Sequence, residues 1–182
     1  MARIIVLDAG PVGMACHESR NDEASDFRTW AWAEAARGSM IIVPEIADYE
    51  VRRSLLVHRS QASLARLDDL RIYPAIYLPL TTPAFRRAAE LWAQARRRGD
   101  WTAGDQAIDG DAILAAQALE YCSDADDWWV ATENARHLAR HVGGMPGPGG
   151  PSRRPGRDRP EGCKPRFAFL ANYAAFPVFL SL

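Results

Sequence analysis

Four short apolar runs punctuate the first 142 residues: Ile4–Leu7, Met40–Val43, Ile76–Leu80 and Trp128–Ala131. Each is too short for a helix, and each is apolar at consecutive rather than alternating positions, the pattern of a strand buried on both faces. The stretches between them place apolar residues at helical spacing and predict helices over Ala24–Arg37, Glu45–His58, Gln61–Leu70, Pro83–Arg97 and Asp109–Tyr121. Strands alternating with helices imply an α/β fold, a doubly wound parallel sheet flanked by helices. Such sheets carry their functional groups beyond the carboxyl ends of the strands.

The pattern breaks after Val142. Residues 143–166 hold seven glycines, six prolines, six basic and two acidic residues. That composition does not build a packed element and reads as a flexible, basic, irregular linker. The segment that follows, FAFLANYAAFPVFLSL (167–182), carries no charge and is too short and Pro-interrupted for a membrane helix. Three readings of it stand open: a strand or helix docked on the domain, an exposed partner-binding or aggregation-prone tail, and a frameshifted end in a GC-rich gene. The expected organisation is an α/β domain over 1–142, a linker over 143–166 and an apolar tail over 167–182.

Composition narrows the function. With 182 residues, 48% of them hydrophobic, the chain can build one domain with a sizeable core. Its net charge is −1, and residues 1–142 alone hold 16 basic and 21 acidic residues, a net of −5. No global basic field advertises nucleic acid binding, so a polyanion would need a local groove or the linker. The opening apolar run is too short for a signal-peptide core or a membrane span. Cys16, Cys122 and Cys163 are dispersed, with no CxxC pair, which predicts a reducing, cytoplasmic setting and no zinc site. His137 and His141 are spaced i, i+4 without an HExxH frame and read as a solvated pair. Arginine supplies 21 of the 22 basic residues; the one lysine is Lys164.

The carboxylates are the informative residues. Asp8 ends the first strand, where a turn or cap role before Ala-Gly-Pro is as good a reading as a functional one. On the helix after Val43, residues Ile46, Ala47, Val51, Leu55 and Val57 define an apolar arc at 100° per residue, and Glu50 projects inside it while Asp48, Arg52 and Arg53 project elsewhere. A carboxylate on that face needs a partner, either an internal Arg or a cation. Asp109 and Asp111 open a helix that is apolar nearly all round, where capping is an ordinary explanation. Thr132 and Asn134 follow the last strand; Asn134 suits a helix cap and both could orient a water or a metal-bound group. Jointly, strand ends and helix starts face one edge of a doubly wound sheet, so three or four carboxylates meet there. Like charges about 4 Å apart repel by about 4 kcal/mol at an effective dielectric of roughly 20. Such a cluster calls for protons or divalent cations, and oxygen-only ligands select Mg²⁺ or Mn²⁺.

The stretches IIVLDAGP, VPEIADYEVRRSLL, DGDAILAAQAL and VATENARHL, in this order and spanning nearly all of residues 3–142, resemble the PIN domain, and more closely the VapC-like toxin ribonucleases. Carried over by position, the family's first acid falls on Asp8, its helix glutamate on Glu50, its third acid on Asp111 with Asp109 as a neighbour, and its Thr-x-Asp/Asn position on Asn134. A neutral amide at Asn134 is a weaker ligand than Asp, which leaves both one-ion and two-ion sites open. The Gly/Pro/Arg tail departs from the family pattern. The resemblance implies metal-dependent hydrolysis of RNA phosphodiesters with Mg²⁺ or Mn²⁺ held by Asp8, Asp109, Asp111 and Glu50, in a cytoplasmic toxin with a cognate antitoxin and a homodimeric state, away from membranes. Arg52, Arg53, Arg136 or Arg140 would hold flanking phosphates.

Two other folds that end the first strand in Asp are disfavoured. A receiver domain needs a lysine that residues 1–142 lack, and dehalogenase-type phosphatases use Asp-x-Asp where this chain has Gly10. The alternative of a different class is a catalytically degenerate PIN-like binding module.

Overall fold

Strand β1 (Ile4–Leu7) is buried at every position and lies inside the sheet. The computed structural model describes residues 3–18, 22–70, 75–99, 105–125, 127–133, 138, 141, 166–169 and 178–180. Strand β1 pairs in parallel with β2 (Met40–Pro44) on one side and β4 (Trp128–Thr132) on the other, setting Ile4 opposite both Met40 and Trp128. Strand β3 (Ala75–Leu78) extends the parallel array beyond β2. On the far side, β5 (Arg166–Phe169) is parallel to β4, and β6 (Val178–Leu180) is antiparallel to β5. Among the described residues the order is therefore β3-β2-β1-β4-β5-β6.

The four strands read from the apolar runs are the four central parallel strands, with ends shifted by one or two residues. The third stops at Leu78 because Pro79 cannot donate to a ladder. Because successive side chains point to opposite faces, β1 feeds two cores. Ile4 and Val6 join Ile42, Leu91, Leu114 and Val130 on one face; Ile5 and Leu7 join Val12, Phe27, Val43 and Leu67 on the other.

Helix α1 (Ala9–Cys16) was not expected, because AGPVGMAC holds two glycines and a proline. Its Pro11 stands in the first turn, where a missing N–H removes no intrahelical bond. The other helices overlap the expected spans: α2 (Asp22–Ala36), α3 (Glu45–Val57), α4 (Gln61–Leu70), α5 (Thr82–Arg97) and α6 (Asp105–Tyr121). Helix α6 begins four residues before the expected start, so Asp109 and Asp111 do not open it but stand in its second turn. The start of α5 is capped by Thr81, whose hydroxyl accepts from the Ala84 N–H at 3.0 Å. Helices α5 and α6 pack against each other, and both bury alanines, Ala84 and Ala88 in α5 and Ala112, Ala115 and Ala116 in α6.

Three local expectations are corrected. Val57 ends α3 at 78% exposure, because the helix leaves the core before its last turn. Asp48, expected off the apolar arc, is 5% exposed, its charge met by Arg52 Nη2 at 3.0 Å. His141, expected in solvent, is 5% exposed; His137 lies outside the described residues. No helix among the described residues is long and apolar enough to cross a membrane.

The start of α3 is fastened by side chains from α6 and α3 itself. The buried Gln117 donates from Nε2 to the Leu78 carbonyl at 3.0 Å and accepts the Ile46 N–H at 3.3 Å. Glu45 accepts the Leu80 N–H at 2.6 Å. Replacing Gln117 by Leu keeps the volume but leaves a buried carbonyl and N–H unpaired. It is expected to lower unfolding free energy by about 1–3 kcal/mol, read from urea unfolding as a lower midpoint with unchanged slope.

Candidate functional site

Asp8 leaves β1 with its backbone N–H still donating to the Ala131 carbonyl at 3.0 Å, so the residue is part of the β1–β4 edge. Its side chain is held at both oxygens. Oδ1 accepts the Ala9 N–H at 2.7 Å, capping α1, and Oδ2 accepts the hydroxyl of the buried Thr132 at 2.6 Å. Asp8 is thus both the cap that composition allows and a carboxylate fixed at the carboxyl end of a central strand.

Glu50 comes from the second turn of α3 and is half-buried, its side chain 30% exposed. Its carboxylate lies against α6: a Cβ added to Gly110 would collide with Glu50 Oε1 and lie 3.2 Å from Cδ. Burial raises the proton affinity of Glu50 above the ordinary carboxylate value. The charge of Asp8 raises it further, and Arg53 opposes both. Asp8 and Glu50 therefore share one electrostatic neighbourhood.

Asp111, the residue after Gly110, is half-buried on the same turn of α6. Asp109 belongs to α6, but its side chain lies outside the described residues, as do Asn134, Arg136 and Arg140 altogether. Arg53 is at the rim, 4.0 Å from Glu50 and stacked over the exposed Tyr49 ring at 5.5 Å. Arg52 is engaged elsewhere: it bridges α3 to α4, bonded to Asp48 at 3.0 Å and Asp68 at 2.8 Å.

Glu133 escaped the sequence reading. It follows Thr132 directly, and its Oε2 lies 3.2 Å from where a Cβ on Gly10 would sit, so this carboxylate hangs over the first turn of α1. The strand-end rule that singled out Asp8 could have found it, but Thr132 and Asn134 drew the reading past it.

Among the described residues, no three of His, Cys, Asp and Glu converge as a metal-ligand set. They do supply oxygen donors alone, in a pair whose second member binds a proton more readily than usual. That chemistry fits a hard divalent cation, which can take the place of the proton. Among the described residues, the thiols of Cys16 and Cys122 are poor nucleophiles, because burial pushes both up to about 12.

A parallel α/β sheet with an acid ending its central strand and a second acid reaching over from the next crossover helix has the architecture expected from the PIN resemblance. Among solved structures, the chain is similar to VapBC2 from Rickettsia felis bound to a DNA fragment from their promoter, with 14% identity, a TM-score of 0.56, and coverage of 73% of this chain and 89% of that one. It is also similar to FitAcB from Neisseria gonorrhoeae, with 16% identity, a TM-score of 0.51, and coverage of 75% and 92%. At these identities the likeness is one of fold, and that fold is PIN-like. No family model matches the sequence, and no curated protein matches it.

The raised proton affinity of Glu50 has a stability consequence with a definite sign. Below the ordinary value of 4.5 the group is protonated whether folded or unfolded. As pH rises from there through its higher folded-state value, ionisation next to Asp8 weakens the fold. In metal-free buffer, Glu50→Gln is therefore expected to match the parent below about pH 4.5 and to gain melting temperature relative to it as pH rises. A pH series of thermal melts checks this; a difference that is flat with pH would contradict it.

Proposed function

We propose that this chain is a metal-dependent endoribonuclease, the toxin of a toxin–antitoxin pair. The observation that carries the reading is the meeting of Asp8, fixed at the end of β1, with Glu50, laid against α6 one residue from Asp111. Asp8, Asp111, Asp109 and Glu50 would hold Mg²⁺ or Mn²⁺. When bound, that ion supplies a water of lowered pKa and offsets charge on the reacting phosphate.

The remaining work falls to the chain's own residues. Thr132 holds Asp8 in orientation through the hydroxyl bond at 2.6 Å. Arg53, exposed beside Glu50, is placed to hold an RNA phosphate that flanks the scissile one. Arg136 is assigned the same task from its position in the sequence, and Asn134 the task of orienting a water. Arg52, with two carboxylates already on its guanidinium, instead holds α3 against α4.

The fold likeness to VapBC2 and FitAcB supports an antitoxin partner for this chain; a homodimer and a cytoplasmic site of action are proposed from the sequence resemblance alone. A second reading, a PIN-like module that binds without cutting, has one observation in its favour: among the described residues two acids rather than three come together.

Cleavage of a mixed, end-labelled RNA by the full chain, with Mn²⁺ and with EDTA, separates the two. The nuclease reading expects metal-dependent cutting that falls by at least about 100-fold in Asp8→Asn. A folded protein that neither cuts nor gains melting temperature with Mn²⁺ would overturn it in favour of the binding module.

A further inference from the structure

Gly110 stands inside α6, where glycine is one of the poorest helix formers. Its backbone does not require glycine: the positive φ angles among the described residues fall at Gly38, Gly99 and Arg59. What distinguishes the position is space. At Gly13 in α1, an added Cβ would make an ordinary contact with Val51 Cγ2 at 3.9 Å. At Gly110 it would occupy the place of Glu50 Oε1. Gly10 is an intermediate case, with Glu133 Oε2 at 3.2 Å.

We propose that Gly110 is a positioning residue for Glu50. The missing side chain opens a notch on α6, and the Glu50 carboxylate crosses from α3 to fill it, within the field of Asp8. The clashing atom is the far end of a flexible side chain, so a methyl group at position 110 does not break the fold. It turns Glu50 aside. The notch thus trades helix propensity for the place of one carboxylate. The inference rests on the nuclease reading for its consequence, but the contact itself can be tested without it.

The experiment is a double-mutant cycle on the full chain, with Gly110→Ala made in the parent and in Glu50→Ala, and Gly13→Ala as a control. Two quantities are read: melting temperature in EDTA, and Mn²⁺ affinity by calorimetric titration. In EDTA, Gly110→Ala in the Glu50→Ala background is expected to raise melting temperature by about 2–4 °C, the ordinary gain of Ala over Gly. In the parent that gain should be reduced or reversed. Mn²⁺ binding should weaken about 10-fold or more in Gly110→Ala, and not weaken further when Gly110→Ala is added to Glu50→Ala.

An equal change in melting temperature in both backgrounds would overturn the proposal. So would an equal loss of Mn²⁺ affinity in both, because a purely structural role is additive. If the parent binds no Mn²⁺, the nuclease reading fails, and the melts in EDTA alone decide whether Gly110 makes room for Glu50.

Discussion

Two carboxylates that cannot both be fully solvated set the terms for this molecule. Asp8 cannot retreat: its backbone belongs to the β1–β4 pairing, and both of its side-chain oxygens are held, by the Ala9 N–H and the Thr132 hydroxyl. Glu50 must therefore accommodate it: its burial and then the charge of Asp8 raise its proton affinity above the ordinary carboxylate value, and Arg53 opposes both. The surrounding structure limits how far Glu50 can move away. Gln117 and Glu45 fasten the first turn of α3 to the exit of β3. The Asp48–Arg52–Asp68 bridge fastens the next turn to α4. A strained charge arrangement is thus built on rigid elements, which is where a binding site keeps its geometry.

The arginine-rich composition takes on a different meaning once these contacts are seen. Arg28 and Arg66 both donate to the His17 carbonyl, at 3.3 and 2.7 Å, and close the carboxyl end of α1. Arg52 joins two helices, and Arg3 pairs with Asp127 at 3.1 Å. Much of the positive charge thus serves the fold. Arg53, bonded loosely to Glu50 and resting on Tyr49, is the arginine set at the rim of the acidic pair. An acidic domain that takes a polyanion must rely on few, well-placed cations.

Strands β1, β2 and β4 were legible because runs buried on both faces are continuously apolar and too short for helices; β3 has the same apolar run but is only partly buried, with Ile76 44% exposed. Most helices were legible from their periodicity. Helix α1 was not, since its glycines and proline read as a turn; Asp8 and the first-turn position of Pro11 make the helix viable. Asp48 and Glu50 show the limit of a helical wheel. Two residues apart, they differ in fate because Arg52, one turn further along α3, reaches Asp48, while Glu50 reaches the Gly110 notch on α6, which has no signature in α3. Asp8 and Glu50 could be nominated from strand ends and an apolar arc. Glu133 could not be ranked, because its relation to Gly10 depends on how closely β4 and α1 approach.

Asp8 and Glu50 form one site only if the charge of Asp8 is felt at Glu50. Carbon-detected NMR titration of the Glu50 carboxyl in metal-free buffer, in the parent and in Asp8→Asn, measures this directly. Removing the charge at position 8 should bring the Glu50 titration down toward the ordinary carboxylate range, leaving the part due to burial. A Glu50 titration that is the same in both proteins would mean that the two carboxylates do not form one site.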